Sequence, residues 1–529
     1  MCGIFSYKGK KHGWPELKDK VDLIQYRGPD NSRYASVSDD VLLGFHRLAI
    51  MGKTEMGNQP MKHPEDNNIN LICNGEIYNY EYLGKKYSFD LTTGSDCEII
   101  LHLYKKFGVE KLIKELDGVF MFVIYDQNSD TLFAGRDPMG VRPGFIGIED
   151  GEIFIASEAK PLIPLCNNLI PFWPGTWWTS KKPDSFNRYF YYKGYNIKEV
   201  KENDICENVN TLLTDAVKKR LMSEREIGCL LSGGLDSSLI TSLVVKYNDG
   251  PILNTFSIGL SDSVDLEYAN LVANYLKTKH HQIEIEEKEF LDAIETVIYN
   301  IESYDTTTVR ASVGNYLVSK YISENSNCKV IFNGDGSDEV CGGYVYLKNA
   351  PSEIELQKES ERLVEEIHFF DVLRSDRSIS SNGLEPRTPF LDKAFVSYYL
   401  SIPPKMKVFD GGDRIEKHIL RKAFDGQNLL PDEVLWRRKC AFSDGVSSQK
   451  RSWHTIIQSF VDSIISDEEY LREKNNYKHC APQLKESYFY RKVFNQFFSN
   501  SENLIPHFWM PKWTKAIDPS ARELDGYKE

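Results

Sequence analysis

The second residue of the chain is the first whose chemistry the sequence singles out. Cys2 stands between Met1 and Gly3, and removal of the initiator methionine would leave a thiol and a free α-amine on one residue. The α-amine has an ordinary pKa of about 7.7–8.0, against about 10.4 for lysine, so a useful fraction of it is neutral at pH 7. It can therefore act as general base for the thiol of the same residue, which makes Cys2 a candidate nucleophile.

Four polar motifs follow within the first hundred residues. They are Arg27-Gly-Pro-Asp30, His46-Arg-Leu-Ala-Ile50, Asn74-Gly-Glu-Ile-Tyr-Asn79 and Gly94-Ser-Asp96. Taken alone, the first is explained by a proline-containing turn and the third by a hairpin turn. Together they offer an arginine for a carboxylate, acids for an amine and donors for an oxyanion. These are the groups that bind an amino acid with a side-chain amide.

The segment from residue 230 to residue 238 is a second candidate site. It reads Leu230-Leu-Ser-Gly-Gly-Leu-Asp-Ser-Ser238, between a predicted strand and a predicted helix. Its glycines let backbone N–H groups approach phosphate oxygens, its serines add hydroxyl donors, and the helix N-terminus adds positive potential. A serine-capped helix after a flexible turn would explain a lone Ser-Gly-Gly, but the full motif is more specific. It lacks the GxxxxGK[ST] pattern and predicts a pyrophosphate loop of another kind.

Acidic residues in this segment and in a later glycine-rich loop are candidate metal ligands. The later loop reads Asn333-Gly-Asp-Gly-Ser-Asp-Glu339. Mg²⁺ takes one or two carboxylates together with phosphates and waters, so Asp236 and Asp338 are the predicted Mg²⁺ ligands. The alternatives are an acidic glycine turn or a calcium loop, although the EF-hand spacing fails because no glutamate stands at position 12. Ile258, near the end of an intervening strand, is suited to packing against adenine.

Two different scaffolds must position these sites. Roughly the first 180 residues alternate short apolar strands with tight turns. A helix predicted from about Asp96 to Phe107 has its apolar residues on one face. Such a strand-rich segment with few helices fits an α+β sandwich. The predicted strands cover residues 41–45, 70–73, 119–125, 132–135 and 153–156.

After a polar, proline-containing stretch at 181–187, strands alternate with helices. This rhythm predicts an α/β domain with a parallel sheet covered on both faces, and ligands bind beyond the carboxyl ends of such strands. Both glycine-rich loops fall there. We predict domains at 1–182 and 205–529, joined by a linker at 183–204. The predicted helices cover 205–221, 239–247 and 266–276, and the predicted strands cover 227–231, 253–258, 282–285 and 329–332.

Composition, charge and cysteine spacing exclude several classes of protein. Of 529 residues, 41% are apolar and 27% charged, an ordinary globular balance. The formal charge is −13, and because a net-acidic surface repels phosphate backbones, nucleic acid is not a predicted partner. No apolar run approaches the roughly 18 residues that cross a bilayer, and no signal peptide is recognisable. The cysteines form neither CxxC pairs nor zinc-finger spacings, which favours reduced thiols in the cytosol.

The motifs around Cys2 resemble, in type and order, the N-terminal-nucleophile glutaminase domain of class II amidotransferases. The resemblance implies an αββα sandwich in which Cys2 attacks the side-chain carbonyl of glutamine, giving a glutamyl thioester and ammonia. Asn74 and the backbone N–H of Gly75 would hold the oxyanion, a contribution of about 3–4 kcal/mol per donor. Arg47 would bind the α-carboxylate, and the acids the α-amine. The implied glutamine-binding residues are Arg47, Leu48, Ile50, Asn74, Gly75, Glu76 and Asp96.

The second half resembles ATP pyrophosphatases, which cleave ATP to AMP and pyrophosphate, and in particular the asparagine synthetases of animal type. The resemblance runs through segments 304–312, 383–392, 416–421, 436–445 and 517–522. It implies that Arg387 and Lys439 neutralise the departing pyrophosphate and that residues 306–310 shape an aspartate pocket. The residues implied to contact ATP are Leu231, Ser232, Gly233, Gly234, Asp236, Ser237, Ser238, Ile258, Asn333 and Gly334.

Two positions depart from the pattern of that family. Asn333-Gly-Asp335 stands where the family has Ser-Gly-Glu, and Cys440 follows the catalytic lysine where the family has an acid. The resemblance implies that Asp335 assists formation or amidation of the aspartyl adenylate. Asp335 keeps the charge of glutamate but is one methylene shorter, and a misplacement of about 1 Å can cost on the order of a hundredfold in rate. We therefore predict a working but slower synthetase.

The sequence as a whole predicts a ligase that couples two sites. Ammonia released at Cys2 would pass inside the protein to a β-aspartyl adenylate made from aspartate and ATP, with Mg²⁺ as cofactor. The products would be asparagine, glutamate, AMP and pyrophosphate. The predicted partners are these small molecules, with no nucleic acid and no membrane, and the resemblance implies a homodimer.

Two alternatives stay open at this point. One is a β-lactam-forming or other adenylating ligase on the same two-domain frame, which dispenses with glutamine hydrolysis. The intact set of Cys2, Arg47, Asn74 and Asp96 counts against it. The other is a catalytically weakened binding or regulatory relative, for which Asn333 and Asp335 are the support.

Overall fold

The computed structural model describes residues 1–192, 201–412, 414–439 and 451–520. The chain divides into two units. Unit 1 is formed by Met1–Tyr191 together with two short segments from farther along the chain, Met222–Glu226 and Ser380–Glu385. Unit 2 is formed by Tyr192–Leu221, Ile227–Ile379 and Pro386–Glu529.

Unit 1 contains two six-stranded antiparallel sheets. The strands are β1 (Gly3–Lys8), β2 (Asn31–Ser38), β3 (Val41–Arg47), β4 (Met61–His63), β5 (Asp66–Ile77), β6 (Gly118–Asp126), β7 (Thr131–Arg136), β8 (Phe145–Glu149), β9 (Glu152–Ala156), β10 (Leu169–Pro171), β11 (Thr176–Thr179) and β12 (Asn187–Arg188). Sheet A has the order β10-β8-β9-β1-β3-β2, and sheet B has the order β12-β11-β7-β6-β5-β4. The helices of unit 1 are α1 (Trp14–Val21), α2 (Tyr80–Tyr87), α3 (Glu98–Phe107) and α4 (Val109–Glu115), with 3₁₀ helices at Asp22–Arg27 and Glu55–Gly57.

The two sheets pack face to face between layers of helices. Ile4 of β1 and Val123 of β6 belong to one apolar core between the sheets. Successive residues of a strand point to opposite faces, so Phe122 points away from that core and packs with Leu103 of α3. Both faces of β6 are therefore buried, which explains its unbroken apolar sequence.

Helix α1 covers the other face of sheet A. A Cβ at Gly44 of β3 would lie 3.1 Å from the Val21 side chain at the end of α1, so the small residue lets the helix approach the strand. The order of layers in unit 1 is helix, sheet, sheet, helix. The predicted αββα sandwich is confirmed.

Unit 2 is built on a third sheet, with the order β15-β14-β13-β16-β17. Its strands are β13 (Glu226–Leu230), β14 (Asn254–Gly259), β15 (Lys279–Glu284), β16 (Cys328–Phe332) and β17 (Glu385–Arg387). The pairs β13–β14 and β14–β15 are parallel, and the connection from β13 to β14 contains a helix. The predicted parallel sheet is confirmed.

Helices make up most of the remaining described part of unit 2. They are α5 (Glu202–Lys219), α6 (Leu235–Tyr247), α7 (Val264–Leu276), α8 (Glu287–Asp292), α9 (Ile294–Ile301), α10 (Thr306–Asn325), α11 (Ser337–Cys341), α12 (Glu353–Glu366), α13 (Asp371–Ser380), α14 (Lys393–Ser401), α15 (Pro404–Lys407), α16 (His418–Phe424), α17 (Asp432–Leu435), α18 (Trp453–Ile464), α19 (Asp467–Glu473) and α20 (Lys485–Phe497). Short 3₁₀ helices occur at Val345–Asn349, Ile367–Phe369, Pro389–Leu391, Lys474–Asn476 and Glu502–Leu504.

Some elements differ from the sequence prediction. Helix α6 begins at Leu235, four residues before the predicted start at 239. The prediction missed this first turn because the turn is polar and shows no period of apolar residues. Strand β15 begins at Lys279 rather than 282, since an edge strand tolerates the half-exposed residues at its start. Strand β12 lies inside the segment 183–204 that was predicted as a linker, where it pairs with β11. In the described part of the chain, no helix combines the length and the apolarity that crossing a membrane requires.

Glu98 at the start of α3 ties the preceding loop to the helix. Its side chain is 1% exposed, and it accepts hydrogen bonds from the backbone nitrogens of Thr92 at 2.9 Å and Thr93 at 2.8 Å. His102, one turn later, lies 3.5 Å away. Burial by itself raises the pKa of Glu98, but the hydrogen bonds from His102, Thr93 and Thr92 outweigh it and lower the pKa to about 2.

Replacing Glu98 with glutamine is expected to destabilise unit 1 by about 1–3 kcal/mol at neutral pH, because charge-assisted hydrogen bonds are lost. The pKa of Glu98 is lower in the folded than in the unfolded chain, so its stabilisation is present above the unfolded value of 4.5 and is lost as the pH falls toward 2. The gap in Tm between wild type and Glu98→Gln should therefore narrow below about pH 5. Glu110→Gln, at an exposed position of α4, is the control and should leave Tm unchanged. A gap that does not vary with pH would contradict this account.

Candidate active sites

Cys2 lies directly before β1, in the interior of sheet A. Its backbone nitrogen donates to Asn74 Oδ1 at 2.9 Å, and its carbonyl oxygen accepts from Arg27 Nε at 3.1 Å. The thiol lies 3.8 Å from the carbonyl oxygen of Leu48. Backbone and side chain of Cys2 are thus held from three directions, so the position of the sulfur is defined by the fold.

The bond to Cys2 also orients the amide of Asn74. Because Oδ1 accepts from Cys2, the Nδ2 group must point away from it, and this buried nitrogen has no hydrogen-bond partner among the described residues. The next residue, Gly75, lies so close to Val119 and Phe120 on β6 that a Cβ would clash with their backbone. Asn74 thus contacts Cys2 and keeps an unused amide donor, the kind of group that an oxyanion requires.

The electrostatics around Cys2 favour a neutral thiol next to a neutral amine. Burial raises the pKa of the Cys2 thiol. Burial also lowers the pKa of the terminal amine from 8.0, although the Glu385 carboxylate, 3.4 Å from the Met1 nitrogen, opposes this. Arg142 lies 3.5 Å from the same carboxylate. A buried thiol of raised pKa needs a base to become a nucleophile.

A pocket of about 310 Å³ opens beside Cys2. One wall is the stretch of residues 48–58, named here the pocket loop. The opposite wall is the end of β5 and the start of α3, where Asp96 Oδ2 accepts from the backbone nitrogen of Ile77 at 2.6 Å. The side chains that line the pocket include one base, two acids and three thiols. They come from Cys2, Phe45, Arg47, Leu48, Ile50, Met51, Gly57, Gln59, Cys73, Gly75, Glu76, Ser95, Asp96 and Cys97.

Arg47 organises the pocket loop from inside. Its guanidinium donates to the carbonyl oxygens of Met51 at 3.1 Å and Thr54 at 2.9 Å, to that of Gly52, and to Asn58 Oδ1 at 2.7 Å. Four hydrogen bonds to the loop mean that Arg47 shapes the pocket as well as lining it. Binding a carboxylate at Arg47 requires some of these bonds to be exchanged.

The second pocket lies in unit 2, beyond the carboxyl ends of β13 and β16. Its volume, including the part open to solvent, is about 1000 Å³. Helices α6 and α11 begin there, each directly after a glycine-rich loop, so their N-termini face the pocket. Acids and bases are about equal in number along its wall. The lining residues are Leu230, Ser232, Gly234, Leu235, Asp236, Ser237, Asp265, Asn315, Asn333, Gly334, Asp335, Gly336, Ser337, Asp338, Asp371, Arg374, Glu416, Lys417, Arg421, Arg437, Arg438 and Lys439.

A lysine lies between the two carboxylates predicted as metal ligands. Lys417 Nζ is 2.6 Å from Asp236 Oδ2 and 2.5 Å from Asp338 Oδ1, and Lys439 pairs with the other oxygen of Asp338. Burial raises the pKa of Asp338, but Lys417 and Lys439 outweigh burial and hold it well below its usual range. Burial lowers the pKa of Lys417, but the carboxylates of Asp236 and Asp338 outweigh burial. The pKa of Lys417 is therefore raised. Asp338, Lys417 and Lys439 are therefore charged at neutral pH.

Asp335 is held by an arginine from α13. Arg374 Nη2 donates to Asp335 Oδ1 at 2.9 Å and also pairs with Asp371. Burial raises the pKa of Asp335 and the neighbouring Asp371 adds to the shift, while Arg374 opposes both. The amide of Asn333 donates to Ser375 Oγ at 2.9 Å. Asn333 and Asp335, which stand where the family has serine and glutamate, are thus both anchored on α13.

Two family profiles match the chain. The one described as glutamine amidotransferase domain matches residues 1–173, and the one described as asparagine synthase matches 208–359 and 348–518. A Rattus norvegicus protein named asparagine synthetase (glutamine-hydrolyzing) is 43% identical over 566 aligned residues, covering 100% of this chain and 99% of the relative. The Homo sapiens protein of that name is 42% identical over 564, with the same coverage. The chain belongs to the asparagine synthetase family.

Solved structures add little to this. A Bacillus subtilis glutamine phosphoribosylpyrophosphate amidotransferase, complexed with ADP and GMP, overlays with a TM-score of 0.32 at 13% identity, covering 79% of this chain and 100% of that chain. An overlay at this level carries no argument, so membership in the asparagine synthetase family rests on the sequence relatives and the family profiles.

In the amidotransferase half of this asparagine synthetase family member, the predicted residues lie together. The predicted glutamine-binding residues all line the pocket beside Cys2 except Asn74, which contacts Cys2 directly. Ser95, from the predicted motif Gly94–Asp96, also lines the pocket. Sequence reasoning missed Gln59, whose side chain accepts from Cys73 N at 2.6 Å. Gln59 does not stand in a pattern that would distinguish it from an ordinary turn residue.

In the synthetase half, some of the predicted residues line the second pocket and others do not. The lining of the second pocket includes Ser232, Gly234, Asp236, Ser237, Asn333, Gly334, Asp335, Asp338 and Lys439. The buried residues Leu231, Ser238, Ile258 and Arg387, and also Gly233, lie outside that lining. Arg387 donates to the carbonyl oxygen of Arg220, and Arg310, predicted near an aspartate pocket, pairs with Glu486 and Asp518. Cys440 lies outside the described residues.

Sequence reasoning missed the charged residues that α13 and the segment before α16 supply. Lys417 stands in the segment Glu416–Arg421, which resembles the family pattern but gives no role for Lys417 itself. Asp371 and Arg374 have the i, i+3 spacing of an ordinary surface ion pair on a helix. Only their partners in the pocket distinguish them from solvent-exposed charges.

Replacing Lys417 with methionine is expected to lower Tm, because Asp236 and Asp338 then lie close together with one less counter-charge between them. A divalent cation can take the position that the ammonium leaves, since two converging carboxylates suit Mg²⁺. Millimolar MgCl₂ should therefore raise the Tm of Lys417→Met by several degrees more than that of the wild type. Lys422→Met, which removes an exposed lysine paired with Glu202, is the control and should respond as the wild type does. An equal response in all three proteins would argue against a cation site here.

Proposed function

We propose that this chain makes asparagine from aspartate, with glutamine as nitrogen donor and ATP as the activating substrate. The reaction converts aspartate, glutamine, ATP and water to asparagine, glutamate, AMP and pyrophosphate. The observation that carries the proposal is the arrangement at Cys2, whose backbone nitrogen is bound by Asn74, a residue that keeps an unused amide donor. The names of the full-length relatives support the same reaction.

The first stage releases ammonia. With Met1 removed, the α-amine of Cys2 takes the thiol proton, and the sulfur attacks the side-chain carbonyl carbon of glutamine. The oxyanion is held by Asn74 Nδ2 and the backbone N–H of Gly75. Collapse breaks the carbon–nitrogen bond, the amine returns the proton to the leaving ammonia, and water then hydrolyses the thioester to glutamate. Glu76 and Asp96 bind the α-amine, and Arg47 binds the α-carboxylate after exchanging bonds with the pocket loop.

The second stage activates aspartate. Its β-carboxylate attacks the α-phosphorus of ATP, the bond to pyrophosphate breaks, and ammonia then displaces AMP from the acyl carbon. The cationic wall of the pocket, Lys417, Lys439, Arg437 and Arg421, neutralises the pyrophosphate as it leaves. Asp335 lies where it can accept a proton from the attacking ammonia, and Arg374 fixes the direction of its carboxylate.

Mg²⁺ fits this pocket as a resident of the substrate complex. Asp236 and Asp338 converge on one point that is now taken by Lys417 Nζ. Two carboxylates with phosphate oxygens and waters form the donor set that Mg²⁺ prefers. When bound, the ion would neutralise charge on the triphosphate, and Lys417 would be released toward the phosphates.

The remaining predictions concern organisation and location. We keep the glutaminase domain at 1–182, the linker at 183–204 and the synthetase domain at 205–529 as proposals. A cytosolic location is supported by the cysteine pattern, and a homodimer is supported only by the family resemblance.

Replacing Cys2 with alanine tests the two-stage scheme. Glutamine-dependent asparagine formation should fall by at least about 10³-fold, because no other nucleophile replaces the thiol. Synthesis with ammonium chloride as nitrogen source should stay within about twofold of wild type. Release of pyrophosphate from ATP that depends on aspartate identifies the second stage and excludes both alternatives. If the wild type produces no asparagine from either nitrogen source, the proposal is wrong.

Varying Asp335 tests its role at the second site. Asp335→Glu restores the longer carboxylate of the family and should raise or preserve turnover with ammonia. Asp335→Asn keeps the shape but removes the charge that Arg374 orients, and turnover should fall by about a hundredfold. The measurement is ammonia-dependent asparagine formation at saturating ATP and aspartate. Collapse of activity in Asp335→Glu would contradict the assignment.

A further inference from the structure

The segment Met222–Glu226 belongs to unit 1 although it lies between α5 and β13 in the chain. Its shape is set locally by Ser223, whose Oγ accepts from the backbone nitrogen of Arg225 at 3.0 Å and donates to its carbonyl oxygen at 2.9 Å. This turn directs Glu224 and Arg225 to the same stretch of chain. The segment contacts the pocket loop through residues that do not line the pocket, whereas Arg47 does line it.

Three successive contacts join this segment to the pocket loop. Arg225 Nε donates to the carbonyl oxygen of Ala49 at 2.8 Å. The backbone nitrogen of Glu224 donates to the carbonyl oxygen of Ile50 at 3.1 Å. Glu224 Oε1 accepts from the backbone nitrogen of Gly52 at 2.9 Å. The backbone of residues 49–52 is thus bound at three of its four residues.

Asp30 extends this arrangement to the Arg27–Asp30 motif. Asp30 Oδ2 accepts from the backbone nitrogen of Ala49 at 2.9 Å and lies 2.9 Å from Arg225 Nη2. The backbone nitrogen of Asp30 donates to the carbonyl oxygen of Arg47 at 2.9 Å. Arg225 therefore contacts both the carbonyl oxygen of Ala49 and the carboxylate of Asp30. That carboxylate in turn accepts from the backbone nitrogen of Ala49.

The pocket loop needs such support because it has little regular structure of its own. Apart from one 3₁₀ turn at Glu55–Gly57, it contains no helix or strand, so its backbone groups must find partners elsewhere. Gly52 has a φ of 57° and packs against Gly94, next to the acids of the opposite wall. Leu48, Ile50 and Met51 from this stretch line the pocket. A shift of residues 49–52 therefore changes the shape of the pocket directly.

We propose that Glu224 and Arg225 are positioning residues for glutamine: they hold residues 49–52 of the pocket loop in the conformation that binds the substrate. This inference rests on the proposed function of the pocket beside Cys2. The two side chains do not line the pocket, so they act through the loop. Their loss weakens binding of glutamine and leaves the attacking groups, Cys2 and Asn74, in place.

The test compares single and double substitutions by steady-state kinetics of glutaminase activity. Removing the side chain in Glu224→Ala deletes the bond to Gly52, and Glu224→Ala/Arg225→Ala also deletes the bonds to Ala49 and Asp30. The KM for glutamine should rise about five- to thirtyfold in the double variant, and by less in the single one. The kcat at saturating glutamine should stay within about twofold, because the oxyanion donor and the nucleophile are unchanged.

Two controls separate positioning from general damage. Glu224→Gln keeps an oxygen that accepts from Gly52 and should restore a KM close to that of the wild type. Glu110→Ala/Lys114→Ala removes an equally charged, exposed ion pair on α4 and should leave KM unchanged. Ammonia-dependent asparagine synthesis should be the same in all variants, which shows that they are folded.

Three results would overturn the inference. They are a KM within twofold of wild type in the double variant, a fall in kcat as large as the fall in kcat/KM, and an equal rise of KM in the α4 control. A wild-type protein that hydrolyses no glutamine contradicts the proposed function itself. That outcome is recognised before any variant is measured, so the two failures are distinguishable.

Discussion

The hydrogen bond from the Cys2 backbone nitrogen to Asn74 Oδ1 joins the two sheets of unit 1 at the proposed nucleophile. Cys2 precedes β1 of sheet A, and Asn74 lies on β5 of sheet B, so the face-to-face packing of the sheets determines the distance between nucleophile and amide donor. The same bond leaves Asn74 Nδ2 without a partner among the described residues. Any change in the core between the sheets, at Ile4 or Val123 for instance, would therefore reach the reacting atoms.

The nucleotide pocket is organised by a different constraint, the balance of charge in a partly buried space. Asp236 and Asp338 share Lys417, and Asp335 and Asp371 share Arg374. Unpaired, each of these groups would be costly to bury. Paired, they form a preorganised set of charges that a triphosphate and a cation can enter by exchanging partners.

Short segments from distant parts of the sequence complete the first site. Ser380–Glu385 brings a carboxylate to the terminal amine, and Met222–Glu226 binds the outer side of the pocket loop. Arg47 binds the inner side of the same loop. An irregular loop held on both sides can present Leu48 and Ile50 in one defined arrangement, which a loop held only at its ends could not do.

The sequence by itself determined both chemistries and both scaffolds. Cys2, Asn74 and Asp236 stand in short motifs whose residue types follow from the chemistry, and the period of apolar residues was enough to predict the sandwich and the parallel sheet. Periodicity could not find the start of α6, because its first turn is polar. Only the tertiary structure decided which charges meet. Lys417 pairs with Asp236 across 181 positions and Arg225 with Asp30 across 195, and partners so far apart leave no local pattern from which a pairing could be inferred.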